Sequence, residues 1–320
     1  MQQLSSGASR VILLRRVWND YRTLRPLKES SLDRYNKLFH LYLHDWADRS
    51  IASITKDECY LRHQLITKTR GAAVANQALR LLRGLYNFAQ TRYEDSQGNP
   101  VFRVNPVSRL SELRCWNKER PKRRYIQPIQ MRAWYTGMSA LKNSAVRDAL
   151  LLIMHTGLRK GEACGLRWED VDMDRGIFTV RDTKNGSDHT LPMAEYVYNL
   201  FRRRQRLAKA DDVFVFSGTK QQKLCINGQY HVVIEQCGIE FSPHDLRRTF
   251  LTIAESLDFQ YELIRALANH KSSSVTERYI IRSPERLRRP MQAISDCILA
   301  LSGIKAEEPT FLPYNLPKVN

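Results

Sequence analysis

Apolar side chains recur every three or four positions between Leu27 and Arg92, which is the spacing of one face of an α-helix. Ser30 and Ser31 stand before the first of these runs, where an N-cap belongs. Thr55 is followed three residues later by Glu58, which is a capping-box pattern before the second run. The sequence therefore predicts an all-helical segment in this part of the chain.

The second half of the chain has a second kind of pattern. Residues 177–180 and 189–192 are short strand-like runs, and Lys184-Asn185-Gly186-Ser187 lies between them. Asn-Gly between two such runs is a strong β-hairpin signal. Helical spacing is found in Met131–Met138, Val146–His155, Arg159–Leu166 and Met291–Leu301. We therefore expect a mainly α protein in which an α+β domain with a small β-sheet or hairpin follows the all-α domain.

Breaks in these patterns suggest the domain boundaries. The polar, basic stretch that ends in Lys118-Glu119-Arg120-Pro121-Lys122-Arg123-Arg124 has the composition of an interdomain linker. One short helical pattern, Val11–Tyr21, comes before the first domain. The expected division is an N-terminal arm or linker (1–26), a helical domain (27–108), a linker (109–124), a second domain (125–303) and a tail (304–320).

The charge of the chain narrows the class of partner. Lys and Arg number 51 and Asp and Glu 33, so the net charge is +18, and the basic residues recur through both halves. Such a distribution favours an extended polyanion as the partner. A membrane surface is the alternative, but no basic amphipathic helix rich in Trp or Phe is evident, so nucleic acid is favoured. With no long apolar run and no signal-peptide pattern, we expect a cytoplasmic, nucleoid-associated protein.

The six cysteines give no indication of a metal site. They are scattered, with no C-x-x-C pair and no His at ligand spacing. We interpret them as reduced, mostly buried thiols and expect no structural zinc.

Candidate phosphate chemistry begins at a predicted helix start. Ser242 occupies an N-cap position and Pro243 the first helical position. His244 and Arg247 then lie three residues apart, on one face of the first turn, where free backbone N–H groups and the helix dipole favour an anion. The pattern predicts an anion-binding helix terminus.

A second group of chemically active residues follows closely. His270 comes after a helical run, and Tyr279 stands nine residues later. Ser274 and Glu277 form a capping-box pattern, which predicts a short helix that carries Tyr279. Histidines, an arginine and a tyrosine hydroxyl near one helix terminus suggest phosphate chemistry.

These motifs, taken in order, resemble the signature of the tyrosine recombinases, the phage-integrase family, and of mobile-element integrases in particular. One departure from the family pattern is Asn269, which stands where the family usually has Gly before the His. Asn tolerates the left-handed backbone conformation, so we expect the turn to survive. The matching pieces are Thr156-Gly157-Leu158-Arg159-Lys160-Gly161-Glu162, Lys184, His244-x-x-Arg247, His270 and Tyr279.

The resemblance implies a role for each matching residue. Arg159 and Arg247 would bind the phosphate through paired N–H donors, which Lys cannot supply. Tyr279 would be the nucleophile and leave a 3′-phosphotyrosine. Since a phenol has a pKa of about 10, it needs a base or a positive field. The remaining roles are His244 as the base, His270 as a phosphate donor, Lys184 as the acid for the leaving oxygen, and Glu162 as the support of Arg159 or His244.

The resemblance also implies partners. The enzyme would bind double-stranded DNA attachment sites between its two domains and exchange strands through a Holliday junction within a homotetramer, with a DNA-bending protein and an excision factor as possible helpers. The helix Met291–Leu301 is a candidate for packing onto a neighbouring protomer, with packing on its own domain as the alternative. For any single basic residue a solvated surface is the favoured interpretation, and for the set a DNA-tracking surface is about equally favoured. The basic residues expected to track DNA are Arg62, Lys68, Arg70, Arg80, Arg83, Lys122, Arg123 and Arg124.

Two other functions remain open at this level. An Xer-like resolvase or a relaxing topoisomerase would use the same chemistry on other DNA. A catalytically silent DNA-binding protein could share the fold, but every catalytic position of the pattern is filled in this sequence.

Overall fold

The computed structural model describes residues 11–94, 97–121, 123–181, 183, 186–218, 222–269 and 283–304. The chain divides into two compact units, with the division between residues 122 and 123. Helices predominate in both, and a small three-stranded sheet lies in the second. The expected fold class, mainly α with a small β-sheet, is confirmed. No helix in the described ranges is both long enough and apolar enough to cross a membrane.

The first unit is built around one long central helix. Its helices are α1 (Leu14–Leu24), α2 (Glu29–Tyr42), α3 (Lys56–Arg70), α4 (Ala72–Arg92) and α5 (Ser108–Glu112). Helix α4 packs against α1, α2 and α3, and its apolar side is buried along its length. The unit therefore has a single hydrophobic core.

The structure places more of the chain in this unit than the sequence boundaries 27–108 did. Trp18 of α1 is buried and stacks on Phe39 of α2, with the ring centroids 5.1 Å apart. Leu110 of α5 is also fully buried in the same core. Residues 11–26 and the first part of the 109–124 stretch thus pack within the unit, because their few apolar side chains complete its core.

Of the two capping patterns expected in this unit, the structure shows one. The capping box of α3 is confirmed, since the Thr55 N–H donates to Glu58 Oε2 at 2.8 Å and the Glu58 N–H donates to Thr55 Oγ1 at 3.2 Å. Helix α2 begins at Glu29, ahead of the two serines expected to cap it. The Lys28 carbonyl already accepts from the Ser31 N–H at 2.8 Å. An acidic first residue favours this earlier start through the helix dipole.

The second unit surrounds a buried helix. Its helices are α6 (Met131–Gly137), α7 (Ser144–Thr156), α8 (Lys160–Cys164), α9 (Glu195–Leu207), α10 (His231–Cys237), α11 (Pro243–Ser256), α12 (Tyr261–Leu267) and α13 (Glu285–Ser302). Helix α7 is buried on nearly every side and packs against α8, α9, α11 and α13. It therefore fixes the position of the segment that leaves its C-terminus.

The sheet has the order β1-β2-β3 and is antiparallel throughout. Strands β2 (Ile177–Val180) and β3 (His189–Pro192) form the hairpin that Asn-Gly predicts, with Thr179 opposite Thr190. Strand β1 (Val171–Asp172) was not expected, because two residues carry no readable alternation. The sheet therefore gains an edge strand beside β2.

Helix α13 packs within its own unit. Met291, Ile294 and Ile298 are fully buried in the core of the second unit, where the helix contacts α6, α7, α11 and β3. Of the two packings expected for this helix, the structure of the single chain shows the one on its own domain, whose core the apolar stripe covers.

Candidate active site

Arg247 is held at the centre of the second unit. It lies in the first turns of α11 and is only 4% exposed. Its Nη1 donates to the Gly157 carbonyl at 2.5 Å and its Nη2 to the Ala268 carbonyl at 2.6 Å. The guanidinium thus connects the end of α7 to the turn after α12. The predicted start of α11, with Ser242 as N-cap and Pro243 as the first residue, is confirmed.

Arg159 is placed by a sharp exit from α7. Gly157 ends that helix in the left-handed conformation, at φ 68°, and Arg159 stands directly before α8. The Arg159 N–H donates to Glu162 Oε2 at 2.8 Å, and its Nη1 donates to Oε1 at 2.7 Å. One carboxylate therefore holds both the backbone and the side chain of Arg159, which is the contact the sequence predicts for Glu162.

The two arginines lie within electrostatic reach of each other. The pKa of Arg247 is lowered to about 10, first by burial and then by the charge of Arg159, while Glu162 opposes the shift. Two guanidinium groups in one partly buried place gain stability when an anion joins them. The two guanidinium groups therefore place two positive charges close together in this unit.

His244 faces the same positive charge. It is exposed on the first turn of α11, and its pKa is lowered by partial desolvation and then by Arg248, Arg247 and Arg159, with Asp245 opposing. A neutral imidazole near pH 7 is able to accept a proton. The structure thus brings together three of the six predicted catalytic residues.

Asp245 supports this turn and was missed by the sequence analysis. Its buried carboxylate accepts from the Ser242 N–H and Oγ, both at 2.9 Å, from Arg248 at 2.6 Å and from Arg124 at 3.1 Å. Burial disfavours its ionisation, but the hydrogen bonds from Ser242 and Arg124 outweigh burial and lower its pKa. The Ser-x-x-Asp spacing was a capping signal that could have revealed it.

The other predicted catalytic residues, Lys184, His270 and Tyr279, lie outside the described residues, as does Lys122. Their described neighbours in sequence are Thr183 and Asn269, which are both buried. Asn269 has φ 47°, so the expected left-handed conformation at this position is confirmed.

A cavity of about 590 Å³ lies between the start of α8 and the hairpin. Arg159, Glu162 and Thr183 all line it. Lys223 lines it too, and the sequence analysis missed this residue because no motif contains it. Within the described ranges, no three His, Cys, Asp or Glu side chains are arranged to hold a metal ion.

The matches to known proteins agree with this geometry. The family model described as the phage integrase family matches residues 126–286, which is just over half of the 320-residue chain. The chain belongs to the phage integrase family. The matched span contains the whole arrangement of Arg159, Glu162, His244 and Arg247.

Two curated relatives represent two branches of similar proteins. Prophage integrase IntF of Escherichia coli is 27% identical over 271 residues, which cover 79% of this chain and 55% of that protein. Tyrosine recombinase XerA of Pyrococcus furiosus is 28% identical over 163 residues, or 48% of this chain and 57% of that protein. The chain thus spans little more than half the length of these relatives.

Solved structures of family members share the fold. A lambda integrase dimer bound to a COC′ core site has a TM-score of 0.63 at 17% identity, with 86% of this chain and 78% of that chain covered. The Tn1549 transposon integrase in complex with transposon right end DNA has a TM-score of 0.63 at 19% identity, with 88% and 99% covered. At these identities the likeness concerns the fold alone.

Two of the arginines expected to contact DNA, Arg62 and Arg124, form ion pairs with carboxylates of the same chain. The Arg62 side chain is 17% exposed, pairs with Asp45 and lies 4.2 Å from the Trp46 ring centroid. Arg124 pairs with Asp245 and also with a surface carboxylate, Glu240. Contact of Arg62 and Arg124 with DNA stays a prediction.

The other basic residues of that set lie on the surface. Arg80 and Arg83 both lie over the Trp116 ring, at 5.8 Å and 5.3 Å from its centroid, and Arg80 also pairs with Glu119. The residues of the set that are exposed are Lys68, Arg70, Arg80, Arg83 and Arg123. Contact of these residues with DNA stays a prediction.

Gly157 is the residue on which the placement of Arg159 depends most. A Cβ at this position would lie 2.5 Å from Phe250 Cδ1, at a backbone φ of +68°. We expect Gly157→Ala to lower the free energy of unfolding by about 3 kcal/mol, from strain and overpacking together. Urea denaturation measures the effect.

Gly161→Ala is the matched control for that prediction. A Cβ there meets nothing within 4 Å, and the residue lies inside α8. We expect its free energy of unfolding to change by less than about 1 kcal/mol. Similar small effects of both substitutions would contradict the role assigned to Gly157.

Proposed function

We propose that this protein is a site-specific DNA recombinase of the integrase type, which cuts and rejoins DNA through a 3′-phosphotyrosine to integrate or excise a mobile element. One observation carries the proposal: Arg159, held by Glu162, and Arg247, held by two backbone carbonyls, lie close enough to each other and to His244 for their charges to shift its pKa. A DNA phosphate carries the opposite charge, and the net charge of +18 fits a DNA partner.

The chemical step uses groups of this chain. The Tyr279 oxygen forms a bond to phosphorus as the bond between phosphorus and the 5′ oxygen breaks. The phenolic proton passes to His244, and the Lys184 ammonium gives a proton to the leaving 5′ oxygen. The reverse sequence rejoins the strand, so the energy of the broken bond is retained and no cofactor takes part.

The charge that develops on the phosphate is met by fixed donors. Arg159 and Arg247 each present planar N–H pairs to the two non-bridging oxygens, and His270 adds a further donor. Glu162 keeps the Arg159 fork in position through its 2.7 Å hydrogen bond. Preorganised donors of this kind lower the barrier because they need no rearrangement during the reaction.

The assembly we propose for this chain is based on the DNA complexes of similar proteins. Lambda integrase forms a tetramer bound to a Holliday junction. We infer that this chain binds double-stranded attachment sites through both units, with the first as a core-binding domain and the second as the catalytic domain, and acts as a homotetramer in the cytoplasm. Help from a DNA-bending protein and an excision factor stays a prediction.

The choice of a mobile-element integrase over an Xer-like resolvase rests on coverage. Similarity to the prophage integrase extends over 79% of the chain, whereas similarity to XerA covers 48%. A recombination assay with paired DNA sites distinguishes the two functions. Recombination between two different sites, with none between two copies of one site, would support integration. Efficient reaction between identical sites would favour resolution.

Covalent capture tests the proposal. The chain is incubated with duplexes that have a randomised central segment and single-strand nicks, so that a cleaved short strand diffuses away and the adduct persists. We expect an SDS-stable protein–DNA adduct that forms in EDTA, and the duplex recovered most often becomes the defined substrate. DNA binding without any adduct would favour the catalytically silent alternative.

The pH dependence of cleavage tests His244. Because its pKa lies below the ordinary value of about 6.5, the imidazole stays neutral further into the acid range. We expect the cleavage rate at subsaturating DNA to fall with decreasing pH at a midpoint below 6.5, and His244→Gln to remove this acid limb. A limb that persists in the variant would exclude His244 as the base.

A further inference from the structure

Three consecutive residues after α12 each contact a different part of the site. In this 267–269 turn, the first carbonyl accepts from His189 Nε2 at 3.2 Å. The second carbonyl accepts from Arg247 Nη2 at 2.6 Å. The Asn269 Nδ2 donates to Thr183 Oγ1 at 3.1 Å. The turn therefore joins the phosphate-binding arginine to both sides of the hairpin loop.

Thr183 closes that loop. Its carbonyl accepts from the Gly186 N–H at 2.8 Å, and its Oγ1 donates to the Ser187 carbonyl at 2.7 Å. The side chain is only 2% exposed, so these bonds are shielded from water. Lys184 is the next residue in the sequence. The residue directly before Lys184 in the sequence is thus bonded to Gly186, Ser187 and Asn269.

Asn269 does more than accommodate its backbone. At φ 47°, Gly would adopt the same conformation without cost, so the backbone alone does not require Asn. The amide is 5% exposed and supplies the donor to Thr183. The residue therefore adds a side-chain connection that Gly could not make.

We propose that Asn269 and Thr183 are positioning residues for proton delivery. Their hydrogen bond holds Thr183, the residue directly before Lys184 in the sequence, against the turn that binds Arg247. The ammonium then meets the leaving 5′ oxygen while the arginines hold the same phosphate. This inference rests on the proposed function, in which Lys184 gives that proton.

A substrate with a sulfur leaving group distinguishes a variant that misplaces the acid, Lys184, from a variant whose phosphate site is damaged. When sulfur replaces the bridging 5′ oxygen, the bond to phosphorus breaks to give a thiolate, which needs no proton because a thiol has a pKa of only about 8.5. A variant that merely misplaces Lys184 cleaves this substrate normally. A variant with a damaged phosphate site cleaves neither substrate well.

The test compares adduct formation on the selected duplex in its oxygen and sulfur forms. We expect Asn269→Gly and Thr183→Val to slow cleavage of the oxygen substrate by about 10-fold to 100-fold, since a displacement of about 1 Å has effects of that size. Cleavage of the sulfur substrate should stay within about twofold of the unmodified chain. The double variant should be no slower than Thr183→Val alone, because Thr183→Val already removes the bond to Asn269 together with the bond to Ser187.

The controls decide the remaining outcomes. Thr183→Ser keeps the hydroxyl and should restore the rate, and Thr190→Val removes a hairpin hydroxyl that bonds to Thr179 and should leave both rates unchanged. If Asn269→Gly does not fold, the Thr183 pair gives the answer alone. Equal slowing on both substrates, or no slowing on either, would overturn the inference. An unmodified chain that forms no adduct on either substrate would overturn the proposed function itself.

Discussion

Replacement of Tyr279 by Phe is expected to abolish the covalent adduct while DNA binding is retained. In the proposed mechanism the phenol oxygen attacks phosphorus, so its removal eliminates the cleavage step, whereas every basic residue of the chain is kept. We expect at least a 10⁴-fold loss of cleavage rate, a loss typical of removing a nucleophile. Denaturing gels measure the adduct, and fluorescence anisotropy of the same labelled duplex measures binding.

Tyr261→Phe is the matched control, because Tyr261 is 69% exposed on α12 and has no assigned role. It should form the adduct at the rate of the unmodified chain. An adduct that survives in Tyr279→Phe would remove Tyr279 from the mechanism, and a loss in Tyr261→Phe alone would assign the reaction to a different tyrosine.

Substitution of Arg159 by Lys is expected to have the second largest effect. Lys keeps the positive charge but loses the planar pair of donors and the fork that Glu162 holds at 2.7 Å. We expect cleavage to slow by about 10²-fold to 10³-fold, as for loss of one preorganised donor, and affinity for DNA to fall by less than about tenfold. Single-turnover cleavage and anisotropy on one duplex separate the two quantities.

Arg203→Lys serves as the control for that change. Arg203 belongs to the same unit and pairs with the buried Asp148 at 3.0 Å. It is neither close in sequence to Arg159 or Arg247 nor paired with Glu162. It should alter cleavage by less than about twofold. If Arg159→Lys weakens binding and cleavage by equal factors, Arg159 only holds DNA and does not act on the transition state.

Local signals were enough to predict the elements that carry the site. The bounds of β2 and β3 follow from strand-like runs on either side of Asn-Gly, and the start of α11 follows from Ser242 and Pro243. These features depend on residues close together in the chain, where turn and capping preferences act. The short edge strand β1 could not be predicted, because it exists only through pairing with β2.

Long-range packing explains what the sequence left open. Helix α1 joins the core of the first unit, and helix α13 covers the core of the second. Both packings depend on three-dimensional fit, which the spacing of apolar residues does not reveal. The same holds for the bond between Asn269 and Thr183, which lie 86 positions apart. Sequence reasoning correctly judged that Asn269 suits a left-handed turn but could not show what its amide contacts.

Identification of the residue that becomes attached to DNA tests most directly whether Tyr279 is the nucleophile. The adduct is digested with a nuclease and trypsin, and the modified peptide is sequenced by mass spectrometry. Arg278 and Arg282 bracket a tryptic peptide, residues 279–282, in which Tyr279 is the sole hydroxyl-bearing residue. We expect a nucleotide joined to Tyr279 of this peptide through its 3′-phosphate. Attachment at any other residue, or through a 5′-phosphate, would contradict it.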